Sequence, residues 1–256
     1  GPFAAAFFLL AAIPTFVLLK ERGIASHTIG SSIWRQGWQR LEGSLKHLRG
    51  YQDLSIFLIS ALFAMSGIYI IIAFTFIYGA QVVQWDEKMR VLTFITVQVT
   101  ATLGAVFFGW AEDRRGSQFT YQFTLLFWIG AVLLIWQTPN ITDAINSLGY
   151  QAERQDIFLV VAVAAGLCLG ATQSASRAIV GKLTPLPRAA EFFGFWGLSH
   201  KLAAIIGLIG VGLMQALVGL QNAILLCAVF FALAFFVCLK VNLSRGQVRA
   251  AQYPRD

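Results

Sequence analysis

Six apolar runs dominate this sequence, at residues 54–78, 91–111, 119–138, 157–178, 192–217 and 220–239. At a rise of about 1.5 Å per residue, each is long enough as a helix to cross a hydrocarbon layer about 30 Å thick. Such a layer offers no water to backbone N–H and C=O groups, and a helix satisfies them within a single segment. The pattern therefore predicts an all-α polytopic membrane protein. Composition agrees, because only 12% of the residues are charged and 57% are hydrophobic, against about 25% charged in soluble domains.

The remaining segments fall into place around these runs. Residues 3–19 form a seventh apolar stretch, near the lower length limit for a span and carrying Pro14, which membrane helices tolerate. It opens abruptly after Gly1-Pro2, which reads as the start of a fragment. In residues 26–53, Ile33, Trp34, Gly37, Trp38, Leu41, Leu45 and Leu48 recur at helical spacing, with Arg35, Arg40, Lys46, His47 and Arg49 on the other faces. That is the pattern of a basic amphipathic helix lying in the membrane interface. The expected layout is a helix over 1–19, a linker with this interfacial helix over 20–53, a six-helix bundle over 54–241 and a tail over 242–256. The longest connection is expected at 139–156, and a tight hairpin at Gly219.

Charge orients the bundle. Segments 20–53, 112–118, 177–190 and 240–256 hold fifteen of the nineteen Lys and Arg, whereas the opposite loops, 80–90, 139–156 and 218–221, hold three. The positive-inside rule places the first group in the cytoplasm. The same asymmetry accounts for a pI near 9.6 without a nucleic-acid partner. Cys168, Cys227 and Cys238 lie in apolar runs without metal-ligand spacing and read as packing residues.

Polar groups inside apolar segments mark candidate sites, because a charge in hydrocarbon costs about 2.5 kcal/mol or more. They concentrate at Gln173, Ser174, Ser176 and Arg177 in the fourth run, and at Ser199, His200 and Lys201 in the fifth. Gly166 and Gly170, four apart, form a small face for close helix approach. Gln173 and Arg177, also four apart, share one stripe. Gln173 offers both donor and acceptor, Lys201 can neutralise an anionic group, and His200, with an ordinary pKa near 6.5, suits a proton switch. Each also has a structural reading: an interhelical hydrogen bond for Gln173, snorkelling for Arg177 and Lys201, and a bonded core histidine for His200. Glu191 opens the fifth span, where the helix dipole favours a carboxylate. No H-E-x-x-H, no G-x-S-x-G and no intramembrane Asp pair is present, so no catalytic or metal-binding residue is assigned, no cofactor is expected and a membrane-embedded enzyme is disfavoured.

Two motifs carry a resemblance. Gly109-Trp-Ala-Glu-Asp113-Arg114-Arg115-Gly116, between the second and third spans, has the pattern G-x-x-x-D-R-x-G and resembles the cytoplasmic loop signature of the major facilitator superfamily. The basic pair that usually trails it is replaced by Ser117-Gln118. Residues 170–177 (GATQSASR), the LTPLPR loop and residues 190–203 (AEFFGFWGLSHKLA) look like the vacuole-effluxer, or autophagy-protein-22-like, branch of that superfamily. The resemblance covers the chain from Leu54 onward. It implies the C-terminal six-helix half of a carrier, preceded by the last helix of the other half and the central linker. Family members often carry Asp-Gly-Ile where this chain has Ser66-Gly67-Ile68, so a proton-carrying carboxylate is absent there.

The resemblance implies a secondary active transporter of small polar solutes working by alternating access, with amino-acid efflux as the family's suggestion. The alternative is a non-transporting receptor or scaffold of the same fold. Expected partners are the lipid bilayer, the missing N-terminal six-helix half, a small-molecule solute and protons. The expected locale is an integral, multi-pass membrane position, the plasma membrane in a bacterium. Gln173, Lys201, His200 and Ser174 are the candidate translocation residues. Gly109, Asp113, Arg114 and Gly116 are the candidate gating loop, with Asp113 expected near the start of the fifth span, and Arg177 and Glu191 mark the inner helix ends.

Overall fold

A computed structural model describes residues 2–18 and 50–252. The expected interfacial helix, with Trp34 and Trp38, lies outside the described residues. The chain divides into two units, Gly1–Gly43 and Ser44–Asp256. In the first, α1 (Pro2–Leu18) is an apolar helix with Pro14 in its interior.

The second unit contains α2 (Gln52–Tyr78), α3 (Glu87–Arg115), α4 (Ser117–Ser147), α5 (Arg154–Leu183), α6 (Ala189–Val218), α7 (Leu220–Ala223), α8 (Leu225–Cys238) and α9 (Leu243–Ala251). Among the described residues, six segments are long and apolar enough to span a membrane, with α7 and α8 together making the sixth. Among the described residues there is no strand. The protein is thus all-α and polytopic, as the apolar runs predict.

The helices overrun those runs at their polar ends. The largest difference is α4, which continues through Pro139 to Ser147, so the long connection expected at 139–156 shrinks to the residues between Ser147 and Arg154. Proline removes the N–H that would bond the carbonyl four residues back, that of Ile135. The buried Tyr78 hydroxyl of α2 donates to that carbonyl at 2.9 Å. Thr138 and Thr142 add side-chain bonds to Leu134 O and Thr138 O, at 3.1 and 2.8 Å. Neighbouring helices and threonines are what allow a proline inside a span.

Two glycines make the shortest turns. Gly116 (φ 87°, ψ 155°) and Gly219 (φ 81°, ψ 166°) occupy backbone space essentially closed to other residues, and each is the single residue between two helices. Gly109, by contrast, lies inside α3, and a Cβ there would meet nothing within 4 Å. The turn requirement therefore rests on Gly116 alone.

The main helix pairs are α3 with α5, α2 with α6, α4 with α5, α2 with α8, and α4 with α8. Advancing every span by three places exchanges the first pair with the second and the third with the fourth, the relation expected of two three-helix groups. Glycine lets α3 and α5 meet at backbone distance. A Cβ on Gly104 would lie 2.0 Å from Leu167 O, and one on Gly170 would lie 2.3 Å from Ala101 O. The small face at Gly166 and Gly170 thus packs on α3. Cys168, Cys227 and Cys238 are buried in the core.

Side-chain contacts mark the two ends of the bundle. At one, Arg154 Nη1 reaches Val82 O at 3.4 Å and Trp136 Nε1 donates to Asn222 Oδ1 at 3.0 Å. At the other, Gln118 Nε2 donates to Cys238 O and Val241 O at 3.2 and 2.9 Å, and Arg245 grips Asp53. Successive spans therefore alternate in direction.

Candidate functional site

The G-x-x-x-D-R-x-G motif is built by the end of α3. Glu112 to Arg115 form its last turn, not a loop, and Gly116 reverses the chain into α4. Arg114 lies over the Trp110 ring, its guanidinium carbon 3.7 Å from the centroid, and Arg115 lies over Phe119 at 5.3 Å. Asp113 is exposed. The carboxylate that reaches out of this turn is Glu112: the Ser117 hydroxyl donates to its Oε1 at 2.7 Å and accepts from Lys182 Nζ at 2.6 Å. This chain leads to the end of α5. The sequence expectation that Asp113 would meet the start of α6 overlooked Glu112 because the motif draws attention to the Asp–Arg pair. At the start of α6, Glu191 instead pairs with Arg188 at 3.7 Å, within the first turn.

A second cluster joins α5 to α6. Trp196 Nε1 donates to Ser176 Oγ at 3.1 Å, and the Arg177 guanidinium carbon is 5.5 Å from the Trp196 centroid. His200 lies edge-on to Trp196 with centroids 4.2 Å apart, and its Nδ1–H donates to Trp196 O at 2.7 Å, since a carbonyl can only accept. One ring nitrogen of this buried histidine is thereby committed to its own helix. Arg177 is held against an aromatic face, an arrangement available to a cation near a span's end.

Gln173, Ser174 and Lys201 are placed differently. All three are exposed on the surface of the six-span unit. Gln173 lies ten residues before the end of α5, about 15 Å along the axis, and Lys201 twelve after the start of α6, about 18 Å. Both are thus well inside their spans. Gln98 and Thr102 of α3 are also exposed, and α3 packs on α5. Ser66, at the position of interest in α2, is buried and donates to Leu62 O at 2.9 Å. Gly207 of α6 sits on its carbonyl, where a Cβ would approach to 2.7 Å.

The strongest charged contact was not anticipated. Asp53 is 3% exposed and receives Arg245 Nη2 and Nε at 2.7 and 2.8 Å, together with Asn242 N at 2.9 Å. The pair binds α9 to the first turn of α2, and Gly246 packs against Leu183 of α5. The carboxylate raises the Arg245 pKa above its ordinary value. A lone Asp at the threshold of an apolar run was the available signal. Among the described residues no group of three or more His, Cys, Asp and Glu is placed to hold a metal ion.

Six alternating apolar helices, polar groups part-way along three of them and charged latches at one end define an integral, multi-pass membrane protein. The sequence matches the vacuole effluxer Atg22-like family over residues 2–251, and the chain belongs to that family. It is 26% identical over 200 residues to an uncharacterised major-facilitator-type transporter, YxiO, of Bacillus subtilis, covering 78% of this chain and 42% of that protein. It is 27% identical over 224 residues to autophagy-related protein 22 of Kluyveromyces lactis, covering 84% of this chain and 44% of the relative. Against autophagy-related protein 22 of Cryptococcus neoformans it is 26% identical over 214 residues, covering 81% and 37%. The chain therefore spans about two-fifths of the length of these curated relatives. No solved structure matches it.

Proposed function

We propose that this chain is the C-terminal six-helix half of a secondary active transporter, with α1 and the linker belonging to its junction with the other half. The carrier moves a small polar solute by alternating access. The observation that carries the reading is the exposure of Gln98, Gln173, Ser174 and Lys201 part-way along spans of a membrane protein. Such groups face lipid only at a cost of several kcal/mol for a charge, so a wet cavity or a facing helical half is the compatible surrounding. Membership of the Atg22-like family and the two-fold pattern of helix pairs support the same reading. So does the low burial of α3 and α6, 17% in each span's most apolar stretch, against 61% in α2.

In this reading Gln173 supplies hydrogen bonds to the solute and Lys201 neutralises an anionic group, which suits an amino acid. His200 supports Trp196 and offers one remaining ring nitrogen to protons. Arg177 and Glu191 mark the cytoplasmic helix ends. Asp113, Arg114 and Gly116 belong to the inside gate, with the mechanical link made by Glu112.

The test is flux of labelled amino acids into vesicles containing the carrier with both halves. Lys201→Met keeps the aliphatic stem and removes the charge. It is expected to lower apparent affinity by about tenfold while thermal stability stays within a degree or two of the parent. Lost stability with normal transport by the surviving fraction would assign Lys201 to structure. A second reading, a receptor or scaffold of this fold, draws on Ser66, whose hydroxyl is spent within α2 and offers no titratable group. Saturable binding without flux would favour it.

A further inference from the structure

The helix that follows the last span, α9, is nine residues long and carries Gly246 in its interior. Isolated helices shorter than about 12 residues are marginal in water, and an interior glycine weakens them further. This helix therefore forms because it is docked, and the docking contacts decide whether it exists.

One support is α2. Asn242 N donates to Asp53 Oδ1 at 2.9 Å, and the Arg245 guanidinium makes a two-point contact with the same carboxylate, Nε to Oδ2 at 2.8 Å and Nη2 to Oδ1 at 2.7 Å. Asn242 Oδ1 also accepts from Arg245 N at 2.9 Å and caps the helix. Asp53 is buried, so its charge depends on the cation beside it. The other support is α5. A Cβ on Gly246 would collide with the Leu183 side chain and lie 3.2 Å from Asp53 Cβ, so only glycine lets the helix seat on both. The seam, which Tyr51 and Arg249 complete, has no room for a water molecule.

The two helices that α9 joins are loosely joined otherwise. α2 and α5 are not one of the main helix pairs. Their ring contact, Tyr78 on Phe158 with centroids 6.1 Å apart, lies at the far end of both, where α2 finishes and α5 starts. At the ends marked by Asp53 and Leu183, Gly246 sits between them.

We infer that α9 is a two-state strap. Docked, it holds the start of α2 and the end of α5 together; undocked, it loses its helix and lets those ends part. The strap is independent of the solute, so its test stands whatever the flux measurement returns.

The experiment places spin labels on the protein in nanodiscs and reads distances by double electron–electron resonance. Gln52→Cys and Gly181→Cys, both exposed, report the strapped ends, and Gln81→Cys with Asp156→Cys, also exposed, report the opposite ends. The unaltered strap is expected to give one narrow distance for each pair. Arg245→Met keeps the stem and removes the charge, whereas Gly246→Leu keeps the charge and blocks the approach to Leu183. Each should lengthen and broaden the Gln52–Gly181 distances and leave the Gln81–Asp156 pair unchanged. The amides of α9 should exchange with solvent about tenfold faster in Arg245→Met, as the loss of a charge-assisted hydrogen bond implies. Unchanged Gln52–Gly181 distances in either variant would overturn the inference, because the spans alone would then hold those ends. Equal broadening of both pairs would also overturn it, by making α9 a support of the whole bundle, as would α9 amides equally protected with and without Arg245.

Discussion

Tyr78 shows how one side chain carries a structural decision. Its hydroxyl takes the Ile135 carbonyl that Pro139 leaves without a donor. Tyr78→Phe leaves a buried acceptor unpaired, so a loss of about 1–3 kcal/mol is expected, read as a lower midpoint in thermal unfolding. Glycine gives a matched comparison within α3. Gly104→Ala drives a methyl into the Leu167 carbonyl and should cost about 1–3 kcal/mol, as overpacking does. Gly109→Ala meets open space and should stabilise by about 0.5–1 kcal/mol, the helix-propensity gain over glycine. Equal effects from the two would remove the close α3–α5 approach as the reason for Gly104. The sequence pointed to Gly166 and Gly170 through their spacing. It could not separate Gly104 from Gly109, because only the position of α5 does.

At the scale of elements, the α3–α4 turn is a junction. It reaches α5 through Glu112, Ser117 and Lys182, and it reaches the chain beyond α8 through Gln118. Ser117→Ala breaks the link to α5 while leaving Gly116 to turn the chain. Increased hydrogen exchange at the end of α5 is expected for Ser117→Ala, with no change for Asp113→Asn. The reverse pattern would return the role to Asp113. The residue type at this turn was legible from the motif, but adjacent carboxylates one position apart on a helix point about 100° apart. Which of them faces α5 depends on the rotation of α3, and that is set by its glycine-mediated packing.

At the scale of the molecule, the orientation proposed from charge is open to a direct measurement. Ser147→Cys and Arg249→Cys place thiols at opposite ends of the bundle, one at the end of α4 and one in α9. An impermeant maleimide added to sealed vesicles should label one and not the other, and labelling of both from one side would sink the topology. The native cysteines are buried and contribute little background.

The number of spans and the helical class followed from the sequence because they depend on one quantity, the length of apolar run needed to replace water around a backbone. Charge asymmetry and the small-residue spacing are equally local and were equally readable. The concentration of polar groups in the fourth and fifth spans was also visible, but their division into a cluster gathered on Trp196 (Ser176, Arg177, His200) and groups set apart from it (Gln173, Ser174, Lys201) was not. Tertiary structure alone decided that division, along with the continuation of α4 past Pro139 and the Asp53–Arg245 clasp. Each depends on a partner carried by another helix, and periodicity along one segment does not contain it.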